Sequence, residues 1–286
     1  MKKFAGLIDQ FSDFEKSKIV IAQAPYAGTV SYGKGAELGP EAIIEASKHL
    51  ELFDLELEKN FAGELGIHSL KPYKLPEKPK YAVESMYKET KKLLEKDKFV
   101  ITLGGEHTVS VGAVKAYSEK FDDLSVLYLD AHADLRNEFE GQKYSHACTL
   151  RRISEFNKSF VHVGCRSLCE EGYGKIKEKN YNFIWMQEIK EKGSQIGKIL
   201  SGLQENVYVS IDIDVLDPAV MPSTGTPESG GMNWYEITEI LKEVGKKKNI
   251  VGFDLVELAP KEGLKAPDFT AAKLVYKLLG YSLVQK

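Results

Sequence analysis

Ser125-Val126-Leu127-Tyr128-Leu129-Asp130-Ala131-His132-Ala133-Asp134 joins a run with little polarity to three side chains of metal-binding type. Such a run suits a strand buried on both faces, as in a parallel sheet covered by helices. The same arrangement recurs twice. Val207-Tyr208-Val209-Ser210-Ile211 leads into Asp212-Ile213-Asp214, and the apolar run 99–103 leads into Gly104-Gly105-Glu106-His107. Extended backbone sends alternate side chains to one face. Asp130, His132 and Asp134 are therefore expected to converge, as are Asp212 and Asp214.

Outward from these clusters, apolar strand-like runs alternate with amphipathic stretches. Strands are predicted at 19–24, 99–103, 125–130, 160–164, 182–185, 207–213 and 249–254. Helices are predicted at 40–50, 80–96, 108–120, 170–180, 195–203, 234–246 and 270–280. The alternation implies an α/β fold with three layers, helices covering both faces of a mostly parallel sheet. Ligands of open α/β sheets gather beyond the carboxyl ends of strands, where all three clusters fall. No linker interrupts the chain, so residues 1–286 read as a single domain.

The 286 residues are 43% hydrophobic and 28% charged, an ordinary globular composition. A net charge of -3 argues against a nucleic-acid partner. The Lys246-Lys247-Lys248 run reads as a solvated helix end. Phe4-Ala5-Gly6-Leu7-Ile8 is too short for a signal peptide, and no run reaches the ~20 apolar residues of a membrane span. Cys148, Cys165 and Cys169 are an odd number at no disulfide spacing, which fits reduced thiols in the cytoplasm. Two loops draw notice. Gly35-Ala36-Glu37-Leu38-Gly39-Pro40 opens a helix with Pro40 in its first turn. The stretch from Asp217-Pro218 to Gly230-Gly231 is long and rich in Gly, Pro and Thr, as functional loops are.

Buried carboxylates need cationic partners, and few Lys or Arg residues lie in these clusters. Asp130, Asp134, Asp212 and Asp214 would balance two divalent cations, and the oxygen and nitrogen ligand set favours Mn²⁺ over a thiolate-seeking metal. His49 and His68 lie outside the clusters and read as surface residues. His162, in a core strand, reads as a satisfied core histidine.

Gly104-Gly105-Glu106-His107, Asp130-Ala131-His132-Ala133-Asp134 and Ser210-Ile211-Asp212-Ile213-Asp214-Val215-Leu216-Asp217-Pro218 resemble the three signatures of the ureohydrolases, the arginase/agmatinase family of binuclear manganese hydrolases. Ser145-His146-Ala147, Gly164-Cys165-Arg166-Ser167, Thr224-Gly225-Thr226-Pro227-Glu228 and Asp254-Leu255-Val256-Glu257 extend the match across roughly residues 19 to 280. The resemblance implies an arginase-like sheet of roughly eight strands. It implies two Mn²⁺ ions per chain: one held by His107, Asp130, Asp134 and Asp212, the other by Asp130, His132, Asp212 and Asp214. Asp130, Asp212 and a solvent-derived hydroxide would bridge them.

A guanidinium carbon is a poor electrophile for water, and metal-bound water supplies hydroxide at neutral pH. By resemblance, Asp134 carries the proton to the leaving amine. His146 shuttles protons to solvent, since imidazole titrates near neutrality. Glu257 would hold the guanidinium, because a carboxylate accepts two parallel N–H bonds. Thr226 falls in the same motif set as a substrate contact.

The substrate tail separates members of the family. Arginases carry Asn at the position of Arg136 and acids after the Gly-x-Arg turn, where this chain has Ser167, Leu168 and Cys169. Leu135-Arg136 and Pro227-Glu228 resemble agmatinases. The expected reaction is thus agmatine to putrescine plus urea, a step of polyamine biosynthesis. Glu228 is a candidate partner for the amine tail, since Ala27 stands where agmatinases often have Asp. Arg136 could instead grip the carboxylate of 4-guanidinobutyrate. The departures at Arg136 and at Ser167, Leu168 and Cys169 weigh against arginase activity, while a single-metal deacetylase and an inactive metal-binding scaffold fit less well because every implied ligand is present along with His146 and Glu257. Family members commonly form trimers or hexamers.

Overall fold

A computed structural model describes residues 2–284. Its strands are β1 Ile19–Ala24, β2 Ile67–Ser69, β3 Phe99–Gly104, β4 Leu124–Leu129, β5 Phe160–Cys165, β6 Asn182–Trp185, β7 Asn206–Asp212 and β8 Asn249–Val256. The helices are α1 Gly39–Ser47, α2 Ala62–Leu65, α3 Pro79–Leu94, α4 Thr108–Lys120, α5 Thr149–Ile153, α6 Glu170–Lys179, α7 Met186–Lys192, α8 Ile196–Gly202, α9 Trp234–Lys247 and α10 Ala266–Leu283. All seven expected strands and all seven expected helices are present. The pattern missed β2 and the short helices α2, α5 and α7. Each is too brief to display a period, and β2 exists through its parallel pairing with β1, Ile19 opposite Ile67.

The strands form one sheet in the order β2-β1-β3-β8-β7-β4-β5-β6. Every neighbouring pair is parallel, so the sheet is wholly rather than mostly parallel. Alternate strand residues enter opposite layers. Ile101, Leu103, Leu127, Leu129, Val209 and Ile211 join one buried cluster with residues of α1 and α7 to α10. Val100, Val126, Tyr128 and Tyr208 join another with residues of α3 to α6. These two layers of helix, with the sheet between them, are the expected three-layer architecture. Local chemistry agrees with it. Asn233 caps α9 by accepting from the Tyr235 and Glu236 amides, while Glu236 reaches back to the Asn233 amide. Ile237, Ile240, Leu241 and Val244 then line its inner face. Lys246 and Lys247 end α9 in solvent, whereas Lys248 donates to the Leu203 carbonyl and is only half-buried.

His49 is exposed, but His68 is not a surface residue. It lies half-buried on β2 with Nδ1 2.8 Å from the Ser12 carbonyl. No helix among the described residues is long and apolar enough to cross a membrane.

The sheet order matters most at its centre. Between β3 and β4, which are consecutive in sequence, the chain inserts β8 and β7. The carboxyl ends of β3, β8, β7 and β4 therefore stand side by side. They lead to His107, Glu257, the Asp212 pair and the Asp130 cluster, respectively.

On the far side of the fold, Asp54 and Glu56 pin the 51–60 loop to α10. Lys277 reaches Asp54 at 3.0 Å and Glu56 at 2.6 Å, and Lys242 and Tyr281 also bond Glu56. Burial would raise Glu56, but these cationic and hydroxyl partners outweigh it and pull its pKa down to about 2. A depressed carboxylate adds stability above its unfolded pKa and loses it as pH falls through the folded value. Glu56→Gln is therefore expected to destabilise the protein at pH 7, with a shrinking penalty as pH drops from about 4.5 towards 2. Urea unfolding of both proteins at pH 7 and pH 3 checks this, and an equal penalty at both would exclude it.

Candidate metal centre

The site is built from loops that begin where the central strands stop. β4 ends at Leu129 and β7 at Asp212. The expected convergence through strand alternation is therefore corrected: the side chains meet because the loops turn inward. His132 donates its amide to Asp130 Oδ1 at 2.6 Å, Asp214 donates to Asp212 Oδ1 at 2.9 Å, and Ala131 donates to Asp214 Oδ1 at 3.1 Å. Asp212 thus caps the single helical turn Ile213–Val215 that swings Asp214 inward. Asp134 and Glu257 adopt left-handed backbone, with φ of 48° and 65°. Such conformations in non-glycine residues cluster at functional sites. Gly105 permits the crossing of the third loop, because a Cβ there would lie 2.0 Å from the Tyr26 carbonyl oxygen.

Two groups of ligand-type atoms result. His107, Asp130 and Asp212 offer atoms within 4.8 Å of one another, and so do Asp130, His132 and Asp214. His107 Nδ1 lies 3.1 Å from Asp130 Oδ2, 3.4 Å from Asp212 Oδ2 and 3.6 Å from Asp134 Oδ2. His132 Nδ1 lies 2.9 Å from Asp214 Oδ2. Asp130 belongs to both groups and Asp212 to the first alone. Asp134 stands beside them, its Oδ2 accepting from the Tyr128 hydroxyl at 2.8 Å.

The electrostatics of this cluster fit cations. Burial, then the neighbouring carboxylates, pushes Asp130 and Asp212 well above the usual carboxylate range. Burial also raises Asp134, against the pull of His107, His132 and His146. Burial would raise Asp214, but its bond to His132, the charge of that ring and the bonds from the Ala131 amide and Asp212 together lower it. Burial alone would lower both imidazoles, yet Asp212 lifts His107 to about 9 and Asp214 lifts His132 to about 10. Protons thus do part of the neutralising, and cation binding must displace them from the ligand nitrogens. The Asp130 Oδ2 atom is buried without a hydrogen-bond partner. That orphan oxygen, in a set of carboxylate and imidazole donors, suits divalent metal.

Outer partners aim these ligands. His107 Nε2 lies 2.9 Å from Ser210 Oγ, which donates to Asp254 Oδ1 at 2.8 Å, leaving Nδ1 for the acids. Tyr208 holds the other Asp254 oxygen. His162, pushed down to about 3 by burial, is neutral and donates from Nε2 to the His132 carbonyl at 2.7 Å. It is a core histidine as its strand position predicts, stacked on Phe183, but it is only half satisfied, because Nδ1 is buried without a hydrogen-bond partner. Arg166 donates to the carbonyls of Asp214 and Glu228, both at 2.8 Å. With Asp217, which accepts from the Gly230 and Gly231 amides, it pins the 217–231 loop to the ligand loop. Arg166 belongs to the Gly164-Cys165-Arg166-Ser167 motif, which by itself carries no sign of this role. Tyr128 and Ser210 were read only as strand residues.

A cavity of about 250 Å³ opens over these groups, at the small end of ligand pockets. His107, His132, Asp134 and Asp212 line it. Glu257, Thr226, His146 and the half-buried Arg136 and Phe139 also line it, and Tyr32 and Leu168 are exposed members of the lining. Glu257 Oε1 accepts the His107 amide at 2.7 Å, and burial, then the charge of Glu106, raises this carboxyl to about 8. Arg136 packs over the Phe139 ring at 5.2 Å. Glu228 is not among the wall residues; its Oε1 lies 3.7 Å from His132 Nε2, outside hydrogen-bond range.

Residues 17–280 match the sequence model of the arginase family. The N(1)-aminopropylagmatine ureohydrolase of Synechocystis is 36% identical over 280 residues, covering 96% of this chain and 92% of its own. The agmatinase of Pyrococcus horikoshii is 34% identical, covering 94% of each. The crystal structure of agmatine ureohydrolase from Thermoplasma volcanium superposes with a TM-score of 0.89 at 29% identity, covering 99% of this chain and 94% of that one.

Proposed function

Because this chain belongs to the arginase family, we propose that it releases urea from a linear guanidinoalkylamine, with agmatine, cleaved to putrescine and urea, as substrate. One observation carries the reading: Glu257 lines the same small cavity as His107 and Asp212 of one ligand group and His132 of the other. A guanidinium at Glu257 is held by charge-assisted N–H bonds in the same cavity as those ligands. Two Mn²⁺ ions, the metal this ligand set favours, would sit on His107, Asp130, Asp134, Asp212, His132 and Asp214. When bound, such a pair supplies an acidified water at neutral pH.

The chain's own residues do the rest. Glu257 fixes the guanidinium carbon in that cavity. Tyr128 holds Asp134 in place as the local proton carrier to the leaving amine. His146, on the cavity wall, exchanges that proton with solvent. In the cavity lining, the Tyr32 ring is 80% exposed and offers a π face to the substrate's ammonium. The free thiols Cys148, Cys165 and Cys169 suit a reducing cytoplasm.

Two observations favour neighbouring substrates. Relatives named N(1)-aminopropylagmatine ureohydrolase, 34–37% identical, favour a longer amine tail. Arg136, a cation in the cavity lining, favours 4-guanidinobutyrate. Urea release from agmatine, N1-aminopropylagmatine, 4-guanidinobutyrate and arginine, compared as kcat/KM with Mn²⁺ present, decides between them. Agmatine is expected to lead, and a carboxylate-tailed substrate in first place would reverse the tail assignment. Loss of the shuttle in His146→Ala is expected to lower kcat about 100-fold, with partial recovery in added imidazole. A variant with unchanged kcat removes the shuttle role.

A further inference from the structure

We propose that Thr29, gripped by the buried carboxylate of Glu106, is a positioning residue that fixes His146 in its Nδ1–H tautomer and leaves Nε2 bare towards the cavity. The inference rests on the shuttle role of His146.

The argument is one of donors and acceptors. Glu106 is fully buried. It takes two bonds from Thr29, from the amide to Oε2 and from the hydroxyl to Oε1, both at 2.8 Å. A hydroxyl has one hydrogen. The Glu106 oxygen, closer at 2.8 Å, claims it over His146 Nδ1, which lies 3.3 Å away. Thr29 Oγ1 can then only accept from the histidine. It does so twice, from the His146 amide at 3.2 Å and from Nδ1–H. Ser145 Oγ, 3.4 Å from Nδ1, can accept from the same side. The other ring nitrogen faces a different neighbour, Ser31 Oγ at 3.4 Å, on the cavity wall. Phe139 meets the ring edge-on at 5.8 Å and limits its rotation.

A shuttle must accept a proton on the atom that faces the reaction. In the opposite tautomer Nε2 would carry hydrogen and could not accept. Glu106 and Thr29 therefore act at one remove, as an orienting carboxylate does behind a catalytic histidine. The device joins residues far apart in sequence, 29, 106 and 146.

The test is a double-mutant cycle on the Mn²⁺-loaded enzyme. Thr29→Val keeps the shape and deletes the oxygen. It is expected to lower kcat about tenfold or more while KM stays within about twofold and metal content is unchanged. Thr29→Ser, which keeps the oxygen, is expected to retain activity. In the His146→Ala background, Thr29→Val is expected to add no further loss. Thr29→Val with wild-type kcat overturns the proposal, as does the same fractional loss in both backgrounds. If His146→Ala itself keeps full kcat, the shuttle reading fails first and takes this inference with it. If His146→Ala is slow while Thr29→Val is not, only the tautomer assignment falls.

Discussion

Asp130→Asn is expected to abolish metal-dependent turnover and, at the same time, to stabilise the metal-free protein. Asp130 alone belongs to both ligand groups, so losing its charge weakens two cation sites at once. Replacing partners outside the ligand shell costs metalloenzymes about 10–100-fold, and a ligand shared by both sites should exceed that range. The stability effect has the opposite sign. Asp130 is fully buried beside Asp134 and Asp214, and its Oδ2 has no hydrogen-bond partner, with His107 Nδ1 3.1 Å away. Asparagine keeps an oxygen for the His132 amide and removes a carboxyl whose ionised form burial and its acidic neighbours disfavour. Urea unfolding in chelator should show it. With Mn²⁺ in excess the wild type gains RT ln(1 + [L]/Kd), and the variant should gain far less. A wild type indifferent to both chelator and Mn²⁺ would refute the metal centre itself.

Glu257→Gln should leave the metals in place and lose the substrate. Its carboxylate contacts the ligand residues only through the His107 amide, which glutamine's carbonyl oxygen can still accept. What disappears is the carboxyl that, though raised to about 8 in the free site, can take up a negative charge beside a bound guanidinium. A hydrogen bond to a charged group is worth about 1.5–3 kcal/mol, so kcat/KM should fall about 10–150-fold. Metal content and metal-linked stability should match the wild type. A variant that instead loses metal would make Glu257 part of the ion site. One with unchanged kcat/KM would leave the guanidinium without its anchor.

The sequence displayed the parts of this site unequally. His107, Asp130, His132, Asp212 and Asp214 announced themselves because five metal-type side chains beyond apolar runs have no comfortable burial without cations. The reason given for their convergence was wrong. Strand alternation does not carry past Leu129 or Asp212, and carboxylate-to-amide bonds in the loops do that work instead. Glu228, the candidate for the amine tail, is not among the residues lining the cavity; its Oε1 lies 3.7 Å from His132 Nε2. Thr29, Tyr128 and Arg166 gave no local signal, because a threonine in a loop, a tyrosine in a strand and an arginine after one are common everywhere.

Composition and periodicity, by themselves, determined that strands and helices alternate and that acids cluster where strands end. These are properties of neighbours along the chain, since hydrophobic patterning is local. Tertiary structure alone decided which strand ends meet. The insertion of β8 and β7 between β3 and β4 brings His107, Glu257, Asp212 and Asp130 to one place. It alone set the protonation of the site as well, because desolvation and charge spacing depend on residues as distant as 106 and 257. Free energies of that kind belong to a three-dimensional arrangement of charge, which no short window of sequence contains.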